Sequence, residues 1–297
     1  MLSLFARRLA RRPSPVRRSD AVILMYHRVD VADADPWRLA VRPKHFAEHL
    51  DVIRGSFEPI ALTRLRARLR TGDIPRRSVA VTFDDGYRDN LVNAEPLLQR
   101  NDVPATLFVT SGYLDSQRDF WWEELTAVCS QSELDPRVVW ERLQPLTRLE
   151  REAELEQLWL AAGSGAPPAS MHTVTSEEIA AVAGRGIFEI GAHTVTHPSL
   201  PSISPAEQAA EISTSKLVLE GVVGRPVSTF SYPHGDVSPQ TVEAVRDGGF
   251  DTACTTSGEP LTRRSTPLEL PRLHVLDWPG GEFEAQLERR LGSRKRR

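Results

Sequence analysis

The chain is 297 residues long, 40% hydrophobic and 26% charged, with a formal net charge of −3. That length can bury one barrel-sized core or two smaller ones, and the charge balance excludes a general pull toward nucleic acid or an anionic membrane. No window reaches the length of a membrane span, and Cys129 and Cys254 are too far apart for a C-x-x-C pair, so each reads as a small buried thiol compatible with a reducing compartment.

Residues 1–20, "MLSLFARRLARRPSPVRRSD", carry six arginines and no acid before Asp20. Their apolar stretch is too short for a signal-peptide core. A disordered basic leader is expected here, with a basic amphipathic tail resting on a membrane surface as the alternative. The remainder, 21–297, reads as one domain.

Short apolar runs rich in β-branched residues follow: "AVILMYH" (21–27), a weaker "FEPIAL" (57–62), "SVAVTFDD" (78–85), "ATLFVT" (105–110), "IFEIGAHT" (187–194), "VSTFSYP" (227–233), "DTACTT" (251–256) and "LPRLHV" (270–275). Runs apolar on both faces suit buried parallel strands. Helical patterns lie between them. "RPKHFAEHLDVIRG" places Phe46, Leu50 and Ile53 at helical intervals. "SPAEQAAEISTSKLVLEGVVG" opens with a Ser204 cap, Pro205 and Glu207 and stops at a glycine, and "SPQTVEAVRDGG" repeats that start and stop. Strands alternating with helices indicate α/β architecture. Seven or eight strands in a single-domain length favour a (β/α) barrel over an open sheet.

One segment, about 113–173, has no strand signal, only the helical runs "FWWEELTAVC" and "DPRVVWERLQPLTRLEREAELEQLWLAAG" and then the loop-like "GSGAPPAS". It is expected to be a helical insertion between two barrel units. Trp121, Trp122, Trp140 and Trp159 lie in it at helical spacing, which predicts core, with sugar stacking by Trp121 or Trp122 as the alternative. The closing "SRKRR" reads as a solvated tail.

The unusual polar residues fall at strand ends. Asp84 and Asp85 close one strand ahead of a glycine. Asp-Gly makes an ordinary bend, so the pair is either a turn or a site where one carboxylate binds a cation and the other handles a proton. His193 closes another strand, with His197 four residues on. Tyr232 and His234 follow a third, His27 ends the first, and Arg272 and His274 lie on the last. In a (β/α) barrel the strand C-termini share the face that holds the active site. One carboxylate oxygen and two imidazole nitrogens suit a divalent ion with positions left open for chemistry.

"TFDDG", "HTVTH" and "FSYPHG" resemble the first three motifs of the polysaccharide deacetylase family, the NodB-homology carbohydrate esterases. "ILMYHRV" and "LPRLHV" resemble its exopolysaccharide N-deacetylase branch. The resemblance covers roughly residues 21–280, apart from the insertion. It implies a distorted (β/α)7 barrel and metal-dependent removal of an acetyl group from a sugar. It implies Asp84 as catalytic base and Asp85, His193 and His197 as metal ligands. Zinc is the family's common ion, and iron, cobalt or manganese also suit the donor set. It implies a backbone N–H near His234 as oxyanion donor and His274 as general acid. His27, Tyr232 and His234 are expected to line the substrate pocket.

The third motif departs from its usual Arg-x-Pro-Tyr-Gly form, because Ser231 stands at the arginine position and His234 at the tyrosine position. Arg272 is the candidate to replace the missing arginine. His45, His49 and His172 receive no role, and Asp89 and Asp251 read as helix-start or strand-edge carboxylates. An N-acetylated sugar in a polysaccharide or glycolipid is the expected substrate, and the cytoplasm, close to the inner membrane surface, the expected place. A small-amide hydrolase, an Fe(II) oxygenase and a degenerate glycan-binding barrel are the alternatives, the altered third motif keeping the last open.

Overall fold

The computed structural model describes residues 21–32, 34–163 and 172–291. The basic leader, the "SRKRR" tail and residues 164–170 of the "GSGAPPAS" loop lie outside them.

Ten strands run in chain order: β1 (Ala21–Tyr26), β2 (Arg28–Val29), β3 (Ala40–Val41), β4 (Glu58–Pro59), β5 (Ser78–Phe83), β6 (Ala105–Val109), β7 (Phe188–Ala192), β8 (Thr229–Ser231), β9 (Thr252–Cys254) and β10 (Leu273–His274). Eight form one sheet in the order β10-β1-β5-β6-β7-β8-β9, with β4 also on β5, while β2 and β3 pair separately. Every neighbouring pair of the sheet is parallel. The segment before β10 bridges the two edges. Leu270 pairs with Cys254 of β9, and Leu273 and His274 then pair with Leu24 and Met25 of β1. The sheet therefore curls into the distorted (β/α) barrel that the strand count predicts, with its seam at Arg272.

Alternation along the strands sorts the core. Val22, Leu24, Val79, Val81, Leu107 and Val109 belong to the large cluster packed under the helices. Ile23, Ala80, Phe108 and Cys254 belong to a smaller one with Leu62 and Leu65 of the helix after β4. Toward the strand C-termini the same inner file turns polar at Thr82, Asp84 and Arg272, all buried. Gly191 of β7 lets the Phe108 ring sit there, since a Cβ would stand 2.4 Å from it.

The helices are α1 (Pro43–Ser56), α2 (Leu62–Thr71), α3 (Glu95–Asn101), α4 (Trp121–Ser132), α5 (Pro136–Leu143), α6 (Arg148–Ala161), α7 (Ser176–Arg185), α8 (Pro205–Val223), α9 (Pro239–Asp247) and α10 (Gly280–Leu291). The second insertion run breaks after Leu143, at Pro145, and restarts at α6 with Thr147 and Glu150 in a capping box. Helices α4, α5 and α6 share a core of their own around Tyr87, Phe120, Trp122 and Trp159. Trp121 and Trp159 are buried there as expected, and Trp140 is partly exposed. Both cysteines are free and buried. No helix among the described residues is long and apolar enough to cross a membrane.

Candidate active site

Asp84 follows β5 directly and faces the barrel interior. Arg272 meets it with a two-pronged contact, Nη1 to Oδ1 and Nη2 to Oδ2, each 2.7 Å. The guanidinium is completed by Thr255 carbonyl (2.9 Å), Thr82 Oγ1 (3.1 Å) and Ser231 Oγ (2.8 Å). Ser231 Oγ also donates to Asp84 Oδ2 at 3.2 Å. The seam arginine thus reaches up the interior, past Phe108, to the carboxylate that the strand-end arginine of the usual motif would meet. Burial alone would raise the Asp84 carboxyl, but Arg272 and His193 outweigh it and hold it well below the ordinary carboxylate range.

Asp85 turns the other way. Its φ of +75°, followed by Gly86 at +90°, is a left-handed pair. Its Oδ1 lies 3.3 Å from His193 Nε2 and 3.4 Å from His197 Nε2. All three residues are buried, and their ligand atoms lie within 4.8 Å of one another. An ion ~2.0–2.1 Å from each of two ligands at a tetrahedral angle separates them by ~3.4 Å, so the observed spacing fits a divalent cation. His193 Nδ1 donates to the Ser231 carbonyl (2.8 Å), which leaves Nε2 free to ligate. His197 offers Nε2, its Nδ1 being buried without a partner. Burial, with His234 and His193, holds His197 well below the usual imidazole range, the neutral form a ligand needs. Burial opposes any rise in His193, yet Asp85 and Asp84 raise it.

The "HTVTH" loop that carries these imidazoles is strained, with Thr194 at φ +65° and His197 at φ +58°. Thr194 Oγ1 accepts from His197 N. From α8, Glu211 accepts from Val195 N (2.7 Å), Thr196 N (2.9 Å) and Thr196 Oγ1 (2.6 Å). Sequence reasoning missed Glu211. Its one signal there was an acid on the helix following the histidine loop.

A cavity of about 170 Å³ opens over these groups, lined by His27, Trp37, Leu39, Trp122, Trp140 and His234 as well as the carboxylates and imidazoles. The insertion supplies Trp122 and Trp140; Trp37 was also missed, lying in a stretch with no element signal. Trp121 packs in the core beneath Arg151. His234 sits at φ +59° in the "YPHG" turn, and burial lowers its imidazole to about 4. Tyr232 lines the cavity as expected, its hydroxyl donating to the Leu268 carbonyl (2.8 Å). His27 lines the cavity with its Nδ1 buried and unpartnered. His274 stands behind it, ring centres 5.4 Å apart, and is not among the lining residues. Burial, then His27 and Arg272, lower His274 to about 4.

Asp89 is taken up by Arg28 and the Val29 N–H, and His49 lies between Tyr26 Oη and the Trp278 carbonyl.

Comparison with known proteins agrees with this architecture. YxkH of Bacillus subtilis (strain 168), which carries the polysaccharide deacetylase name, is 23% identical over 269 residues, covering 90% of this chain and 75% of that one. Poly-beta-1,6-N-acetyl-D-glucosamine N-deacetylase of Escherichia coli (strain K12) is 28% identical over 113 residues, 37% of this chain and 16% of that one. The structure of the Streptococcus pyogenes deacetylase PplD in complex with acetate superposes with a TM-score of 0.67 at 20% identity, covering 91% of this chain and 99% of that one. IcaB from Ammonifex degensii gives 0.67 at 19%, covering 94% and 100%. These two likenesses establish the fold. The polysaccharide deacetylase profile matches residues 71–253, more than half the sequence, and the chain belongs to the polysaccharide deacetylase family.

Proposed function

We propose that the protein is a metal-dependent N-deacetylase that hydrolyses the acetamide of an N-acetylated sugar in a glycan or glycolipid and releases acetate. The observation that carries this is the division of labour between neighbouring aspartates: Asp84 clamped by Arg272, Asp85 grouped with two imidazoles. An oxygenase needs the second group but not the first.

Asp85, His193 and His197 would hold the ion, with zinc the first candidate. A divalent cation bound there would supply Lewis acidity toward an acetyl carbonyl and a water. Asp84 is the base placed to accept a water's proton. Its low pKa keeps it ionised across the neutral range, and Arg272 fixes which way its oxygens point. The His234 N–H, in its left-handed turn, would be the backbone donor to the acetyl oxygen. Trp37, Trp122 and Trp140 line the cavity and give the sugar an apolar wall. The proton taken up from the water would return to the leaving amine, with His27 the imidazole lining that side of the cavity and His274 behind it.

The test is acetate release from N-acetylglucosamine oligomers by protein loaded with zinc, cobalt or manganese. Asp84→Asn should lose turnover and keep metal, while Asp85→Asn should lose both. Full activity in Asp84→Asn would overturn the assigned roles. Metal binding without cleavage of any acylated sugar would favour a glycan-binding barrel.

A further inference from the structure

Arg151, on α6, feels Glu211 and Glu152 only at a distance and has no carboxylate in ion-pair contact among the described residues. Only 4% of its surface is exposed, and its Nε is sealed from solvent without a hydrogen-bond partner. It forms no ion pair with any described residue. Its Cζ lies 4.9 Å from the centre of the Trp121 ring. A cation–π contact returns only part of what an ion loses on leaving water.

Arg151 borders a groove of about 680 Å³ between the insertion and the start of α8, a size that suits a small organic ligand. The walls are largely apolar: Leu146 and Leu149 on the insertion side, Val195 and Pro198 on the histidine loop, Ile203 ahead of α8. The other charged groups lining it are occupied. Glu211 is bonded to the histidine loop, Glu207 caps Ser204, and Arg148 pairs with Glu152 at 2.7 Å. Arg151 is left as the one unpaired charge at the groove among the described residues. The groove and the Asp84 cavity lie on either side of the histidine loop, the first lined by Val195 and Thr196 and the second by His193 and His197.

We propose that this groove is a second binding site, for a small amphiphilic anion whose carboxylate or phosphate head meets Arg151 and whose apolar body lies along Leu146, Leu149 and Ile203. A bare oxyanion would leave those walls uncovered, and a neutral amphiphile would leave the guanidinium unpaired.

The test is calorimetric titration of the full-length, metal-loaded protein with octyl phosphate, octanoate, octyl glucoside and inorganic phosphate. Octyl phosphate or octanoate should bind the wild type at least ~10-fold tighter than Arg151→Met, a contrast that a single charge-assisted contact can supply. The stronger of the two names the head group. Octyl glucoside should not distinguish the proteins, and inorganic phosphate should bind more weakly than octyl phosphate. Arg151→Met keeps an unbranched apolar stem on Trp121, so the fold should survive; Arg151→Lys, which keeps charge but not the planar fork, should weaken octyl phosphate several-fold. Equal affinity in wild type and both variants would overturn the proposal. So would inorganic phosphate binding as tightly as octyl phosphate. Repeating the titration after chelation separates this site from the metal centre. Binding should persist, and its loss would place the anion on the Asp85 ligand set and overturn the second site.

Discussion

Replacing Arg272 by methionine removes the one side chain among the described residues that meets both oxygens of Asp84, while keeping an unbranched stem against Phe108. Both partners are buried, so solvent cannot step in as counter-charge. Removing one partner of such a pair costs about 3–5 kcal/mol. At 1.36 kcal/mol per pKa unit, Asp84 rises by ~2–4 units if the whole loss appears as proton uptake. Ser231 Oγ remains as a weaker donor, which places the expectation at the lower end. A base must be ionised, so the acid limb of kcat/KM moves up by the same amount. Linkage gives a second readout of the same sign. The Asp84 carboxyl is depressed in the folded state, so it contributes stability above its unfolded pKa of ~3.9 that disappears as pH falls through the folded value. Wild type and variant should therefore differ in stability near neutrality and converge in strong acid. Acetate release and urea midpoints, measured across pH with metal content assayed at each point, check both. A fully metal-loaded Arg272→Met with wild-type kcat/KM and an unmoved acid limb would refute the reasoning.

Glu211→Ala frees the Val195 and Thr196 N–H groups and should weaken metal binding ~10–100-fold, as loss of ligand-orienting contacts does elsewhere; chelator competition measures it, and unchanged affinity would mean the strained loop holds itself. Gly191→Ala puts a methyl 2.4 Å from the Phe108 ring and 2.6 Å from Thr229 Oγ1, and should cost about 1–3 kcal/mol in denaturant titration. His27→Ala should reduce kcat more than His274→Ala, because only His27 lines the cavity; the reverse order would return the proton-donating role to His274.

The sequence was most legible where local chemistry and tertiary need coincide. Runs such as "SVAVTF" and "ATLFV" are buried on both faces and came out as parallel strands. The Ser204 capping box and Pro205 marked the start of α8. Helices α2, α7 and α10 drew no expectation. Arg-rich α2 and α10 carry one narrow apolar face each, and α7 follows directly on the loop read from composition alone. The carboxylates and imidazoles were legible because Asp-Asp-Gly and H-x-x-x-H are local patterns. What holds them is not local. Arg272 stands 188 residues from Asp84 and Glu211 sits on the next helix. Trp37 is brought to the cavity only by the packing of the β2–β3 region on α4, where its Nε1 bonds Thr126. Strand alternation left Arg272 and His274 both inward or both outward. The structure chooses inward, with the arginine deep and the histidine at the rim.

Asp84 and Asp85 are each only 3% exposed, which a surface Asp-Gly bend would not require. Extended backbone through β5 aims Asp84 into the barrel, and the switch to positive φ at the next residue swings Asp85 to the histidines. The turn thereby separates two like charges that adjacent positions would otherwise hold together, and each then needs its own compensation. Arg272 serves Asp84, with its guanidinium spent on Asp84, Ser231, Thr82 and Thr255. It has no donor left for Asp85. The imidazoles compensate Asp85 only when protonated; burial and its histidine neighbours hold His197 neutral, while Asp85 and Asp84 raise His193 against burial. A cation shared among Asp85, His193 and His197 would satisfy the carboxylate and use the imidazoles as neutral ligands. Arg272 thus balances the first aspartate, and the grouping of Asp85 with His193 and His197 could hold a divalent cation at the second.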